Sequence, residues 1–442
     1  MRLEHAPTFD DIGVGEVMHG WAHDLFPFPR SLSGDGVRRT LDYLSGLFEG
    51  LEVQGVCSGT QAFDWTVPDE WNIRGAYLEN ESGECIISFA DSNLHVLGYS
   101  EPVDAWLDLE ELQEHLYSLP DNPDAIPYVT SYYERRWGFC LTERQRRSLK
   151  PGRYHAVIDA DLGPGQIHYG EVVIPGSERS EVLLSTYVCH PSMGNNELSG
   201  PVVAAALIRW LKSASRRHTY RIIFVPETIG SIVYLSRHLE RLKRNMVAGF
   251  VLTCLGDDRA YSLMPSRTGD TLADRVALHV LGRLKDGFKH YSFLQRGSDE
   301  RQYCSPLVDL PVVSVMRSKY GEYPEYHTSL DDLNLITPSG LEGGYRVVKG
   351  CLEILEANHV YRATVPCEPQ LGKYGLYPTL SRTGSAAGAL ALRDTLAYAD
   401  GSLDLIGLAE AIGGDAREVS AIADMLLKHG LLERVDVNSL RA

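Results

Sequence analysis

The sequence holds no C-x-x-C pair. Its eight cysteines stand at 57, 85, 140, 189, 254, 304, 351 and 367. That spacing excludes a zinc ribbon and a thioredoxin-type site, and so scattered a set reads as reduced thiols. No apolar run approaches the roughly 18 residues that span a bilayer. The first residues, Met1-Arg2-Leu3-Glu4-His5, lack the charged-then-apolar pattern of a secretory signal. A cytoplasmic chain without a membrane partner is therefore expected. An excess of basic charge is missing too: 42 Lys and Arg stand against 59 Asp and Glu, a net charge of −17. Non-specific binding to nucleic acid or to an anionic membrane needs a basic face, so neither is expected.

What is present is a chain of 442 residues, long enough for about two to four domains. Residues 14–55 keep helical spacing, with Val17, Trp21 and Leu25, then Val37, Leu41 and Leu44. The polar stretch Phe26–Gly36 between them reads as a loop, with Asp35 placed to cap the second helix. Arg30 and Ser31 on it read as solvated rather than functional. Residues 56–130 change to short β-like runs such as Ala76-Tyr77-Leu78 and Cys85-Ile86-Ile87-Ser88-Phe89. Gly, Asn, Asp and Pro punctuate them, which reads as a small inserted β module. A helix is expected after it, at about Leu107–Leu119.

From residue 131 strands alternate with long helices. Strands are expected at 154–160, 167–174, 182–188, 220–225, 249–255 and 312–316, and helices at 200–215, 230–243, 270–286 and 338–357. That alternation implies an α/β fold, a mostly parallel sheet with helices on both faces, in a domain made of 1–55 and 131–360. Residues 361–442 read as a separate winged-helix-like domain. Its parts are a helix at Leu403–Ile412, a Gly413-Gly414 turn, a helix at Arg417–His429 and a wing strand at Leu431–Val435. From Cys367 onward it carries seven Lys and Arg against ten Asp and Glu, net −3, the wrong sign for reading DNA. A packing or oligomerisation role is expected of it, and a homo-oligomer is left open.

Four strand-to-loop transitions carry conspicuous polar residues. The first follows Val182-Leu183-Leu184 and holds His190, Asn196 and Glu197. In the second, Glu227 stands directly after an apolar strand and just before a helix. It suits a general base, because partial burial raises a carboxyl pKa. It equally suits an acid that favours a helix N-terminus. The third is Gly297-Ser298-Asp299-Glu300-Arg301-Gln302-Tyr303-Cys304, and the fourth places His327 beside Tyr320, Tyr323 and Tyr326. Two histidines and one acid on separate strand-end loops are what a metal with a neighbouring base requires.

The order His190, Asn196-x-x-Ser199-Gly200, Glu227 and Tyr326-His327-Thr328 resembles the zinc aminopeptidases. Six further stretches resemble, more closely, a bacterial aminopeptidase-like subfamily associated with polysaccharide biosynthesis. They are Phe63-Asp64-Trp65-Thr66-Val67-Pro68, Trp137-Gly138-Phe139-Cys140, Cys189-His190-Pro191-Ser192, Pro226-Glu227-Thr228-Ile229-Gly230-Ser231, Gly297-Ser298-Asp299-Glu300-Arg301 and Glu368-Pro369-Gln370-Leu371-Gly372. That subfamily carries an inserted β module and a C-terminal winged helix, and the likeness covers nearly the whole chain. It implies the zinc-aminopeptidase fold, with Glu227 as general base and His190 and His327 as metal ligands. The departures are specific. The family's metal-bridging aspartate falls at Asn196, its next carboxylate ligand at Thr228, and its third strand-end aspartate near Thr253. One zinc rather than two is expected, held by His190 and His327 with Asn196 or Asp299 completing the shell. Asp299 is also a candidate acid or base. Arg267 and Arg301 are candidate carboxylate or phosphate clamps, and Tyr323 and Tyr326 candidate substrate contacts. The expected substrate is a short peptide or an aminoacyl or amide-containing small molecule. A metal-free acid–base enzyme and a non-catalytic ligand-binding or scaffold protein stand as alternatives.

Overall fold

The computed structural model describes residues 13–376 and 385–435. The chain forms two compact units, Met1–Asp274 with Phe288–Arg346, and Arg275–Gly287 with Val347–Ala442. Among the described residues no helix is long and apolar enough to cross a membrane.

The first unit is built on an eight-stranded sheet. Its strands are β1 (Glu52–Cys57), β2 (Gln166–Ile174), β3 (Glu181–Tyr187), β4 (Thr219–Val225), β5 (Met246–Val251), β6 (Ser262–Met264), β7 (Lys289–His290) and β8 (Val312–Met316). They lie in the order β1-β2-β4-β3-β5-β8-β6-β7. The centre, β4-β3-β5-β8, is parallel, while β1 and β2 on one side and β6 on the other pair antiparallel. Four helices matter for the site: α1 (Val14–Leu25), α2 (Asp35–Leu47), α3 (Ser199–Lys212) and α4 (Ile229–Asn245). The chain steps from β3 through α3 to β4, then reverses through α4, past β3, to β5. Right-handed crossovers running in opposite directions put α3 and α4 on opposite faces. All seven residues of β3 are buried, as a central parallel strand requires. Gly200 lets α3 sit close on the sheet: a Cβ there would lie 2.2 Å from the Leu252 carbonyl oxygen.

A second, four-stranded antiparallel sheet is formed in the order Cys85–Ser88, Glu70–Asn80, Arg153–Gly163, Val103–Asp108. Arg153–Gly163 belongs here and not to the central sheet. Its burial alternates, with Tyr154, Ala156, Ile158 and Ala160 inside, the mark of a sheet with one solvated face. The helix expected at Leu107–Leu119 shrinks to the turn Leu109–Leu112 and a 3₁₀ turn at Gln113–His115, because the strand Val103–Asp108 takes its first residues. Asp35 does not cap α2. Gly34, at φ 88°, precedes the helix, and Asn72 Oδ1 accepts the Asp35 N–H at 2.7 Å. The Phe26–Gly36 loop is not a solvated one either: Arg30 and Ser31 are 1% and 3% exposed.

In the second unit the helices Leu405–Ala411 and Ala416–Lys428 and the strand Leu432–Val435 fall where the wing reading placed them. That strand pairs antiparallel with Val360–Ala363. The sequence reading lacked the helix Ser385–Tyr398 and the strand Asp400–Asp404. Asp404 and Asp415 cap the two expected helices by accepting from Gly407 and Arg417 N–H.

The central sheet carries one buried ionic group. Arg221 on β4 pairs with Glu171 on β2, and its Nε lies 3.0 Å from Glu181 Oε2 on β3. Arg241 also reaches Glu181, at 2.9 Å. Burial works to raise the Glu181 carboxyl, but its bonds to Arg221 and Arg241 hold it below the usual range. Arg221→Leu leaves buried Glu171 without its counter-charge and Glu181 with Arg241 alone, at a cost of about 3–5 kcal/mol. Urea unfolding at neutral pH should show that loss. The native Glu181 contribution is present above its unfolded pKa and disappears as pH falls through its lower folded value. The difference between native and variant should therefore narrow in acid.

Candidate active site

β3 and β4 are neighbours whose following helices leave to opposite faces, so the loops at their carboxyl ends part and leave a crevice. Beyond β3, the backbone forms a π-turn at Gly194–Leu198. Its leading N–H groups, of Asn195 and Asn196, donate to the Asp331 carboxylate at 2.6 and 3.0 Å. The turn carries Asn196 and Glu197 inward, both 1% exposed. Glu197 Oε2 accepts from His190 Nδ1 at 2.9 Å.

Beyond β4, the Glu227 carbonyl accepts the Ile229 N–H at 2.8 Å, around Thr228 at φ 65°, ψ −76°. This is a γ-turn with positive φ at a β-branched residue, a strained conformation. Asp299 braces it. Its Oδ1 accepts from Thr228 N–H at 2.7 Å and from Ser231 Oγ at 2.8 Å. Arg301 Nη2 donates to Thr228 Oγ1 at 2.9 Å. The turn leaves Glu227 Oε1 accepting from Ser298 Oγ at 2.8 Å and Oε2 3.6 Å from His190 Nε2. From the loop after β8 comes His327, stacked on Tyr326 with ring centres 3.9 Å apart and lying 5.5 Å from the His190 ring.

Burial raises the Glu227 carboxyl above its usual range, against the pull of His190. Burial, then the charge of Glu227, pushes Asp299 up to about 7. Asp299 Oδ2 has no hydrogen-bond partner, and neither does His327 Nε2. Burial, with His190 adding to it, takes His327 down to about 3, so its ring is neutral. His190, Glu227 and His327 open onto a cavity of about 420 Å³ whose lining also includes Trp65, Tyr128, Tyr132 and Arg301.

Residues 19–358 match a family model described as a domain of unknown function, DUF4910, and residues 359–434 match one described as a winged helix-turn-helix. The chain belongs to the DUF4910 family. A Clostridium acetobutylicum relative, provisionally named a polysaccharide biosynthesis protein with aminopeptidase-like domain, is 40% identical over 96% of this chain and 97% of its own length. A crystal structure of a C. acetobutylicum protein, provisionally titled a peptidase, is also 40% identical. It covers 95% of this chain and 96% of that one, with a TM-score of 0.90. A zinc aminopeptidase from Bacillus subtilis, at 12% identity, covers 76% of this chain and 93% of that one with a TM-score of 0.54. That likeness establishes the fold. The zinc-aminopeptidase fold and the winged helix expected from the sequence are both borne out.

Within this DUF4910 chain the sequence candidates separate. His190, Glu227, Arg301 and His327 line one cavity. Asp299 lies behind it, under the γ-turn. Asn196 is beside it, with Oδ1 accepting from the Tyr187 hydroxyl at 3.0 Å and Nδ2 buried without a partner. Arg267 is elsewhere: its guanidinium pairs with Asp309 on the surface, at 2.7 Å. Tyr323 does not face the cavity. It packs with Cys254, Met264, Met316 and Tyr320, and its hydroxyl donates to Asp331 at 2.8 Å. Tyr326 contributes its face to His327. The cavity's aromatic walls are instead Trp65, Tyr128, Tyr132 and Tyr133. The density of tyrosines at 128, 132 and 133 was the available signal for them.

The donor set does not fit two zinc ions. Thr253 and Thr228 carry no charge, and their hydroxyls are engaged with Tyr187 and Arg301. Asn196 supplies a neutral amide where two dications would need an anion between them. The two imidazoles, with Nε2 of His327 unpartnered and a carboxylate 3.6 Å from Nε2 of His190, do fit one zinc. Among the described residues, one trio of metal-type donors lies within 4.8 Å of one another, Cys189, His190 and Glu197. It uses the opposite, Nδ1 side of His190, next to Arg30.

The strain at Thr228 makes a prediction. Thr228→Gly should raise the stability of the first unit by roughly 1 kcal/mol, the released strain less the freedom glycine adds to the unfolded chain. Thr228→Val keeps the strain and loses the Arg301 bond, so it should show no gain. Equilibrium denaturation of the two variants distinguishes strain from hydrogen bonding.

Proposed function

We propose that this chain is an aminopeptidase-like hydrolase. Its substrate is a short peptide or an aminoacyl or amide-bearing small molecule, and it works with a single zinc ion held by His190 and His327. The observation that carries the reading is the convergence of His190, Glu227 and His327, from three separate strand ends, on one cavity. The names of the Clostridium relatives support the class of reaction. When bound, zinc supplies an acidified water and polarises the scissile carbonyl.

The chain's own residues do the rest. Glu227 Oε1 is held by Ser298 Oγ, which leaves Oε2 to take the proton of the attacking water and pass it to the departing amine. Burial raises the basicity of that carboxylate. His190 and His327 bring their imidazoles to the cavity. Tyr128, Tyr132 and Trp65 exclude water and pack the substrate side chain. Arg301, fixed by Thr228 and by the Ser298 carbonyl at 3.0 Å, is the partner for a substrate carboxylate or phosphate.

A second reading rests on Asp299, whose Oδ2 is buried and unpartnered: a metal-free pair in which Glu227 and Asp299 share acid and base roles. The winged helix we read as a packing or assembly module. Arg362, Arg417 and Arg434 there are each paired to an acid.

Zinc measured by mass spectrometry on protein purified without a histidine tag should approach one equivalent. It should be lost in His190→Ala and His327→Ala. Full turnover in metal-stripped protein would favour the second reading. On a confirmed substrate, Glu227→Gln should keep its zinc and lower kcat by about 10²–10⁴-fold. An unchanged kcat would remove Glu227 from the mechanism.

A further inference from the structure

We infer that Arg30, acting through Glu197, is the positioning residue that holds His190 with its Nε2 toward the cavity. The inference rests on the reading of His190 as a site residue, but not on hydrolysis.

Arg30 stands in the loop between α1 and α2, about 160 residues before the loop it serves. Its side chain and that of Glu197 are both 0% exposed, with Nε 3.6 Å from Glu197 Oε1. The same Nε donates to the His190 carbonyl at 2.9 Å, and Nη1 donates to the Leu25 carbonyl at 2.6 Å. Leu25 ends α1, where helix carbonyls lack partners and a cation is favoured. One guanidinium therefore ties the end of α1, the backbone of His190 and the carboxylate of Glu197 together. Its rigid fork of donors suits that task better than a lysine would.

Glu197 then acts on the ring. A carboxylate only accepts, so its 2.9 Å contact to Nδ1 places the imidazole proton on Nδ1. Nε2 is left on the cavity side, where Glu227 Oε2 lies 3.6 Å away. A histidine ligand commonly has such a carboxylate behind it. Here the carboxylate itself has a resident cation. A bare carboxylate in the interior is costly, and Arg30 supplies the counter-charge. That is also why the Cys189–His190–Glu197 trio is not a second metal site: an ion there would meet the guanidinium already paired with Glu197.

The test uses the full chain, metal-stripped and labelled with ¹⁵N-histidine, with the His190 signal assigned by its loss in His190→Ala. Long-range ¹H–¹⁵N spectra report which ring nitrogen carries the proton. The native protein should show His190 protonated on Nδ1. Arg30→Met should mix the two forms, and Arg30→Lys should restore part of the native signal. Should Arg30→Met fail to fold, the double variant Arg30→Met/Glu197→Leu removes both buried charges. Folded by near-UV circular dichroism, it should still lose the Nδ1 form. Zinc titration of the variants should show affinity weaker by about 10–100-fold. A native His190 protonated on Nε2 and not on Nδ1 would overturn the inference. So would a folded double variant with native tautomer and native zinc affinity. A fixed Nδ1 form in a protein that hydrolyses nothing would sustain the inference and count against the proposed function alone.

Discussion

The middle strands of the central sheet are buried on both faces, and the site follows from that. Every residue of β3 is inside, so each polar group in it needs a partner. Ser185 finds Tyr303, and Thr186 finds the Leu252 carbonyl. Groups meant for chemistry cannot be consumed in this way, so they collect where the strands end. The reversal from β3–α3–β4 to α4–β5 then opens the sheet's edge between the two strand ends. His190 and Glu227 occupy that opening because their strands are neighbours, although 37 residues separate them in the chain.

Charge balance sets the character of the opening. Asn196, Thr228 and Thr253 are neutral: Asn196 Oδ1 and Thr253 Oγ1 meet the Tyr187 hydroxyl, and Thr228 Oγ1 meets Arg301. The remaining buried acids have different environments. Glu197 faces a guanidinium. Asp331 accepts backbone N–H groups and a tyrosine hydroxyl. Asp299 braces a strained turn and keeps one oxygen unpartnered. Only Glu227 combines a raised carboxyl with access to the cavity. The strain at Thr228 lies next to Glu227, and strain of this kind gathers at functional sites.

Much of the sheet was legible. A doubly buried strand is a continuous apolar run, and a crossover helix has a long apolar stripe. β8 and the helix Pro338–Ala357 fall on the expected residues, and β3, α3, β4 and α4 within about three. Arg153–Gly163 was misassigned to the central sheet because strand pairing is set by partners distant in sequence. Its alternation was the local clue. The Phe26–Gly36 loop is polar yet holds buried Arg30, Ser31 and Ser33, because polarity in a sequence does not report exposure. Ser33 and Arg30 are polar because they hydrogen-bond inside, to Tyr99, Trp71 and His190.

The chemistry of individual loops could be read from residue types alone. His190, Glu227 and His327 follow apolar strands, and their families of neighbours named the fold. Neutral residues at 196, 228 and 253 limited the charge available for metals. Tertiary structure alone decided which candidates meet. Arg301 reaches the cavity because Thr228 and the Ser298 carbonyl hold it there, while Arg267 is drawn to Asp309. Tyr323 turns into the core to serve Asp331, and Arg30 crosses to His190 and Glu197. A side chain's partners depend on distances in space that close only when strands and helices pack, and sequence separation carries no record of them.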